Sequence, residues 1–85
     1  MHTITFTAEA LRHLGEWKNG DPKILAKIVA LITDMAATPF TGLGKPEPLK
    51  HHLKGKWSRR ITDEHRIVYV VQETTILIIS CRYHY

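Results

Sequence analysis

The sequence predicts a small α+β domain in which two N-terminal helices pack on one face of a mainly antiparallel sheet of about four strands. Three observations lead to this fold class: the chain opens with a short alternating segment, two segments of helical periodicity come next, and three apolar runs separated by brief turns come last. Grouped helices followed by grouped strands are typical of α+β domains. Since 85 residues suit one core, we expect residues 1–85 to form a single domain.

The first strand and the first helix are predicted from the segment HTITFTAEALRHLGEWK. Ile4 and Phe6 alternate with polar residues, which is the pattern of a half-buried strand. Thr7 can then cap a helix that ends at the sequence NGD, and Glu9 lies in its first turn, where a negative charge is favourable.

The second helix is predicted to begin after a cap at Asp21, with Pro22 in its first position. Apolar residues then recur at spacings of three and four, which gives this helix one face to bury. Pro39 cannot continue the helical hydrogen bonds and therefore closes the segment. The apolar stripe consists of Ile24, Ile28, Leu31, Ile32 and Met35.

Glycines and prolines predict that residues 41–56, TGLGKPEPLKHHLKGK, form a loop. The candidate strands WSRRI, HRIVYVV and TILIISCR come after it. Their separators, TDE and QET, are short enough for hairpins, so we expect these strands to form an antiparallel meander.

The net charge of +4 is carried entirely by the second half of the chain. Residues 1–37 contain four basic and four acidic residues, whereas residues 38–85 contain eight basic and four acidic residues. A segregated basic surface attracts polyanions, of which nucleic acid is the commonest in a cytoplasm. A solvated, lysine-rich face is the alternative interpretation.

Other features of the sequence favour a soluble cytoplasmic protein. Cys81 is the only cysteine, so it cannot form an intrachain disulfide, and the segment MHTITFTAEA lacks the regions of a signal peptide. No apolar stretch approaches the roughly 20 residues that a membrane span requires.

The turn TDE makes the arginines of the sheet informative. A three-residue turn pairs Ile61 with His65 and places Arg60 opposite Arg66. Like charges across a strand pair are destabilising, so a bound phosphate between the two guanidinium groups is favoured. Two solvent-exposed arginines that splay apart are the alternative. If the second turn is also of odd length, three more polar residues share this face: Ser80, Arg82 and His84.

The segment from Thr38 to Tyr85 resembles the YoeB family of toxins, within the RelE superfamily of bacterial toxin–antitoxin systems. The resemblance is carried by the motifs GKPEPLKH, WSRRI, EHRIVY and CRYHY. The first half of the chain is similar only in its strand and helix pattern. His52 and Lys56 depart from the family pattern, which has asparagine at the first position and an apolar or aromatic residue at the second.

The resemblance implies a ribosome-dependent endoribonuclease that cuts messenger RNA in the ribosomal A site. It also implies neutralisation by a YefM-like antitoxin, and a homodimer. Glu47 corresponds to the general base of the family and Arg66 to the ligand of the scissile phosphate, while His84 and Tyr85 belong to the active site. Further basic residues are expected around the RNA phosphates: Lys50 and Arg60, which match family positions, with Arg59 and Lys45.

The implied chemistry requires no metal and no cofactor. The ribose 2′-hydroxyl attacks the adjacent phosphorus while the 5′-oxygen leaves, so a base must remove one proton and an acid must supply another. Glu47 and His84 suit these roles, and Arg66 would stabilise the pentacoordinate phosphorane. The products are a 2′,3′-cyclic phosphate and a 5′-hydroxyl. The adjacent His51 and His52 lack the one-face spacing of a paired metal site.

Alternatives remain for these residues and for the function. Glu47 in its proline-flanked loop is otherwise a solvated side chain, and His84 is otherwise part of a frayed end. A non-catalytic ParE-like toxin that acts on a topoisomerase, or a basic RNA-binding module, would share the fold or the charge. The set of Glu47, Arg66 and His84 argues against both, because neither function needs it.

Overall fold

The computed structural model describes residues 1–82, and its two helices begin directly after the predicted caps, Thr7 and Asp21. Strand β1 spans Thr3–Phe6 and helix α1 spans Ala8–Asn19. The Thr7 hydroxyl accepts a hydrogen bond from the Ala10 amide at 3.0 Å. Helix α2 spans Pro22–Ala37, and the Asp21 carboxylate accepts from the Lys23 amide at 3.1 Å. Each cap satisfies an amide that the first helical turn leaves without a partner.

Five strands form one sheet in the order β1-β5-β4-β3-β2. Strand β2 spans Glu47–Pro48, β3 spans Trp57–Arg60, β4 spans Arg66–Val71 and β5 spans Thr75–Ser80. The pairs β2–β3, β3–β4 and β4–β5 are antiparallel, whereas β1 runs parallel to β5. The predicted α+β class, with helices over a small and mainly antiparallel sheet, is therefore confirmed.

Two details differ from the prediction. The expected loop of residues 41–56 contains strand β2 and a short 3-10 helix, His51–Leu53. A two-residue strand that contains a proline leaves no alternating pattern to detect, and proline is tolerated there because β2 lies at the sheet edge. The alternation of Ile4 and Phe6 is the same in either strand direction, so it did not reveal that β1 is parallel to β5.

The helices cover one face of the sheet and enclose the core. In α2, Ile28, Leu31 and Met35 are buried, and Ile24 and Ile32 pack against the core as partly buried residues, so the predicted stripe is confirmed. The sheet contributes buried apolar side chains from strands β4 and β5; these are Ile67, Tyr69, Ile76 and Ile78. Within residues 1–82 no helix is both long enough and apolar enough to cross a membrane.

The predicted register of the first hairpin is confirmed. Arg60 pairs with Arg66, and the Ile61 amide donates to the His65 carbonyl at 2.9 Å. The second turn is not of odd length, because Val71 pairs with Ile76 and leaves residues 72–75 between them.

A bulge between Val68 and Tyr69 then shifts the β4–β5 register, so that Val68 pairs with Ser80. Of the residues expected on the face of Arg66 for a turn of odd length, Ser80 does lie there, because it pairs with Val68. Arg82 does not, because its side chain contacts α1 beyond the end of β5. An extra residue in one strand of a pair bends that strand and changes the direction in which its neighbours point.

Candidate active site

Two cross-strand rows of residues place the proposed catalytic side chains close together, on the face of the sheet that the helices do not cover. Glu47 pairs with Ser58, and Ser58 pairs with Val68. The neighbouring row consists of Arg60 and Arg66. Residues two apart on a strand point to the same face, so the carboxylate and both arginines share it, opposite the face that buries Ile67 and Tyr69.

Glu47 and Arg66 are in direct contact. Arg66 Nη1 donates to Glu47 Oε1 at 3.1 Å. The side chain of Glu47 is 57% exposed and that of Arg66 is 24% exposed. Exposed ion pairs contribute little stability, about 0–1 kcal/mol, so an arriving phosphate can replace the carboxylate on Arg66 at small cost.

Strand β2 fixes the position of Glu47 more firmly than a loop would. Pro48 pairs with Trp57, and the Leu49 amide donates to the Lys56 carbonyl at 2.9 Å. Pro46 and Pro48 flank the glutamate and restrict the backbone on both sides. A group that transfers protons must be held in place by such supports.

Lys45 and Lys50 lie in the segments on either side of β2, and both are exposed. Lys45 adopts a left-handed backbone conformation, with φ of 51°. Lys50 precedes the 3-10 helix His51–Leu53. The two cations are therefore available to a polyanion that approaches the strand carrying Glu47.

Arg59 does not join this surface, which corrects its assignment as a phosphate ligand. Its side chain is fully buried, and its guanidinium carries five N–H donors. All five are used within the protein. They bond to the Tyr69 hydroxyl, the Asp34 carboxylate and three carbonyls, those of Leu43, Thr38 and Thr41.

Asp34 is the ionic partner of Arg59, with Nη1 to Oδ2 at 2.6 Å. The Leu43 amide, which donates to the same carboxylate at 2.9 Å, and the Arg59 guanidinium together lower the pKa of Asp34. Alternation predicts that the two neighbouring arginines, Arg59 and Arg60, point to opposite faces. Which of them is buried depends on the distant Asp34 carboxylate.

Three further side chains around these elements were not predicted from the sequence. Ser58 lies between Glu47 and Val68 in the sheet; it is fully buried, and its hydroxyl has no hydrogen-bond partner within residues 1–82. His13 and Trp17 of α1 bond the main chain of Cys81. No sequence motif marks any of the three, because each is defined by a contact between distant segments.

Other chemistry is not favoured among the described residues. Burial raises the pKa of the Cys81 thiol to about 12, which leaves it protonated and unreactive. No group of three or more potential metal ligands occurs within residues 1–82. His84 and Tyr85, assigned as catalytic from the resemblance, lie outside the described residues.

Comparison with known proteins gives consistent matches along the chain. The model of a family described as YoeB-like toxins of bacterial type II toxin–antitoxin systems matches residues 6–85. Toxin YoeB of Escherichia coli strain K12 is 59% identical over 69 residues, which cover 81% of this chain and 82% of the relative. The similarity therefore reaches well into the first half, where the sequence motifs had shown only a shared strand and helix pattern.

Solved structures of the same fold include a YoeB/ParE toxin from Agrobacterium tumefaciens, with a TM-score of 0.95, 44% identity and coverage of 98% and 99% of the two chains. A YoeB dimer from Staphylococcus aureus has a TM-score of 0.91 and 41% identity over 99% of this chain and 98% of that one. The matching chain of a YoeB–YefM complex from the same organism has a TM-score of 0.89 and 40% identity over 100% and 99%.

Proposed function

The chain belongs to the YoeB-like toxins of bacterial type II toxin–antitoxin systems, and from this membership we propose that it is a ribosome-dependent endoribonuclease that cleaves messenger RNA in the A site. The observation that carries the proposal is the contact of Arg66 with Glu47, with Arg60 paired to Arg66 on the same open face. A carboxylate beside two guanidinium groups combines a proton acceptor with a site for a phosphodiester.

In the proposed reaction Glu47 takes the proton from the ribose 2′-hydroxyl, and the resulting oxygen attacks the adjacent phosphorus. Arg66 and Arg60 stabilise the additional negative charge of the phosphorane. The bond from phosphorus to the 5′-oxygen then breaks, and His84 donates a proton to that oxygen. The products are a 2′,3′-cyclic phosphate and a 5′-hydroxyl, and no metal ion or cofactor takes part.

Substrate binding draws on residues that flank the reacting centre. Lys45 and Lys50 are exposed on either side of β2 and suit contacts with the neighbouring phosphates. Tyr85 suits stacking on an unpaired base, as aromatic side chains do in recognition of single-stranded RNA. Arg59 has no part in binding, because its five donors are used inside the protein.

The proposed partners are the messenger RNA on its ribosome, a YefM-like antitoxin and a second copy of the chain. The last two are supported by the YoeB–YefM complex and the YoeB dimer of Staphylococcus aureus. The proposed substrate is messenger RNA bound to translating ribosomes, so the proposed place of action is the bacterial cytoplasm. Residues 1–85 act as one domain in this mechanism.

One experiment separates the proposed function from its rivals. The purified protein is incubated with ribosomes stalled on a defined messenger RNA, and the new RNA ends are mapped by primer extension. We expect one cut at the A-site codon that leaves a 5′-hydroxyl. Inhibition of a topoisomerase without RNA cleavage would favour the ParE-like function, and RNA binding without any cut would favour a binding module.

A further inference from the structure

Three side chains of helix α1 hold the two residues immediately after strand β5. Trp17 Nε1 donates to the Cys81 carbonyl at 2.9 Å, and His13 Nδ1 accepts from the Cys81 amide at 3.1 Å. Arg82 Nη1 donates to Glu16 at 2.8 Å, and the Arg82 guanidinium carbon lies 4.9 Å from the centroid of the Trp17 ring. We call His13, Glu16 and Trp17 the α1 clamp.

The α1 clamp replaces the sheet as the support of the backbone at this point. Strand β5 ends at Ser80, so the amide and carbonyl of Cys81 need other partners. Both bond to side chains of one helix, and these side chains are buried, with His13 4% and Trp17 7% exposed. Glu16 and Trp17 follow His13 by three and four positions, and residues at these spacings lie on the same side of a helix.

A buried histidine is an expensive way to fill a core, because its ring nitrogens must be paired. The use of His13 as an acceptor and of Trp17 as a donor therefore serves the Cys81 main chain more than it serves packing.

We propose that the α1 clamp is a positioning device for catalysis: it fixes Cys81 and Arg82, and so fixes the point from which the chain continues to the proposed general acid His84. This inference rests on the proposed function, in which His84 is the general acid. General acids work only within hydrogen-bond reach of the group they protonate. Misplacement by about 1 Å can reduce a rate by about 100-fold, so a chain segment beyond a strand end needs a dedicated support.

The same geometry makes the α1 clamp sensitive to acid. His13 Nδ1 accepts from the Cys81 amide only while that nitrogen carries no proton. Burial lowers the pKa of His13 and is the largest influence on it. The charged groups that face it have opposing effects, since Glu9 and Glu16 raise the pKa, whereas Arg12 and Arg82 lower it.

The direction of the pH effect follows from this depressed pKa. The clamp is complete above the ordinary pKa of histidine, and it opens as the pH falls through the lower value in the folded protein. A protonated His13 would present an N–H to the Cys81 N–H, so the two donors would repel each other. Cleavage should therefore lose the support of the clamp on the acid side of its pH profile.

The test uses two variants that change the hydrogen bonds of the clamp: the first keeps an aromatic ring, although a smaller one, and the second keeps a polar side chain. Trp17→Phe removes the donor to the Cys81 carbonyl, and His13→Gln removes the titrating group. Lys18→Gln, an exposed change on the same helix, is the matched control. Single-turnover cleavage of ribosome-bound messenger RNA is measured for each protein across a range of pH, together with hydrogen exchange of the Cys81 amide.

We expect Trp17→Phe to slow cleavage by about 10- to 100-fold and to accelerate exchange at Cys81, with the control unchanged. His13→Gln should remove the part of the decline in cleavage rate at acidic pH that is caused by protonation of His13. Combining Trp17→Phe with His84→Gln distinguishes positioning from general damage: if the clamp acts through His84, the double variant cleaves no more slowly than His84→Gln alone.

Two results would overturn the inference. One is a folded Trp17→Phe protein with the wild-type cleavage rate and unchanged exchange at Cys81. The other is a further, independent loss of rate when Trp17→Phe is added to His84→Gln. If the wild-type protein cleaves no RNA, the proposed function fails, and with it the catalytic role of the clamp; faster exchange at Cys81 in Trp17→Phe would still establish the clamp as a structural support.

Discussion

Arg66 Nη1 lies 3.1 Å from Glu47 Oε1, although the two residues are 19 positions apart in the sequence. Strand β3 stands between their strands in the sheet, so the contact exists only when β2, β3 and β4 are all paired. In the proposed mechanism the same arginine holds the carboxylate before RNA binds and the phosphate afterwards. The base is thus released from its ion pair when the substrate arrives.

Replacement of Glu47 by Gln or of Arg66 by Ala should reduce RNA cleavage by at least about tenfold. Each change removes a proposed chemical role, and the two side chains lie on the open face rather than in the core. Thermal unfolding should therefore stay close to that of the wild type. Cleavage is measured on stalled ribosomes, with Glu73→Gln, an exposed change in the β4–β5 turn, as the control. Full activity of either folded variant would remove that residue from the mechanism.

Arg59 and Arg60 offer a matched pair for separating stability from function. Arg59→Met should lower the free energy of unfolding by about 3–5 kcal/mol, because it breaks a buried ion pair and leaves its partners unsatisfied. Arg60→Met should change it by less than about 1 kcal/mol while weakening cleavage. Urea unfolding measures the change in stability of each variant, and the assay on stalled ribosomes measures the change in cleavage. A stable Arg59→Met protein with impaired RNA binding would restore Arg59 to the RNA-binding set.

Asp34 should make the fold sensitive to strong acid. The Leu43 amide and the Arg59 guanidinium lower its pKa in the folded protein. The stability that this carboxylate provides is fully present above its pKa in the unfolded chain, and it is lost as the pH falls through the lower folded value. Urea unfolding between neutral and acidic pH should show a steeper decline for the wild type than for Asp34→Asn. Parallel curves would show that Asp34 makes no such contribution.

Two glycines should respond to alanine in opposite directions. Gly44 has φ of 78°, and an added Cβ would lie 2.8 Å from Leu31 Cδ2 and 3.0 Å from the Arg60 carbonyl oxygen. Gly44→Ala should therefore destabilise the fold and disturb the end of β3 at Arg60. Gly15 lies in α1 with no neighbour within 4 Å of such a Cβ, so Gly15→Ala should stabilise by about 0.5–1 kcal/mol. Melting temperatures of both variants test this contrast.

Deletion of His84 and Tyr85 should abolish cleavage of messenger RNA and spare the fold, because the core within residues 1–82 is built without them. Most of the antitoxin affinity should also remain. A bulky tag after Tyr85 should weaken cleavage by crowding the site. Thermal unfolding, antitoxin binding and ribosome-bound cleavage are measured for both forms. Normal cleavage by the shortened protein would rule out the proposed acid, and loss of its fold would assign these residues a structural role.

Local rules account for the features that could be predicted from the sequence. The caps at Thr7 and Asp21 depend on residues within one helical turn, and the pairing of Arg60 with Arg66 depends on a three-residue turn. These features are set by neighbours in the chain, so alternation and spacing were sufficient to find them.

Contacts between distant segments explain the features that were missed. The burial of Arg59 depends on Asp34, which is 25 residues away. The α1 clamp depends on how a helix passes over a strand end, with Trp17 and Cys81 separated by 64 residues. Strand β2 exists only because β3 offers it an edge. None of these relationships has a periodic signature in the sequence.

The strand order has a consequence for how the protein is made. Strand β5 is synthesised after the other four strands, yet it lies between β1 and β4 in the finished sheet. While β5 is still inside the ribosomal exit tunnel, β1 has no strand to pair with, and the carbonyl of Cys81 cannot meet Trp17. Long-range pairings of this kind form late in folding. The pairings of β5 with β1 and with β4 therefore cannot form until the last strand has left the tunnel, so closure of the sheet follows synthesis of the whole chain.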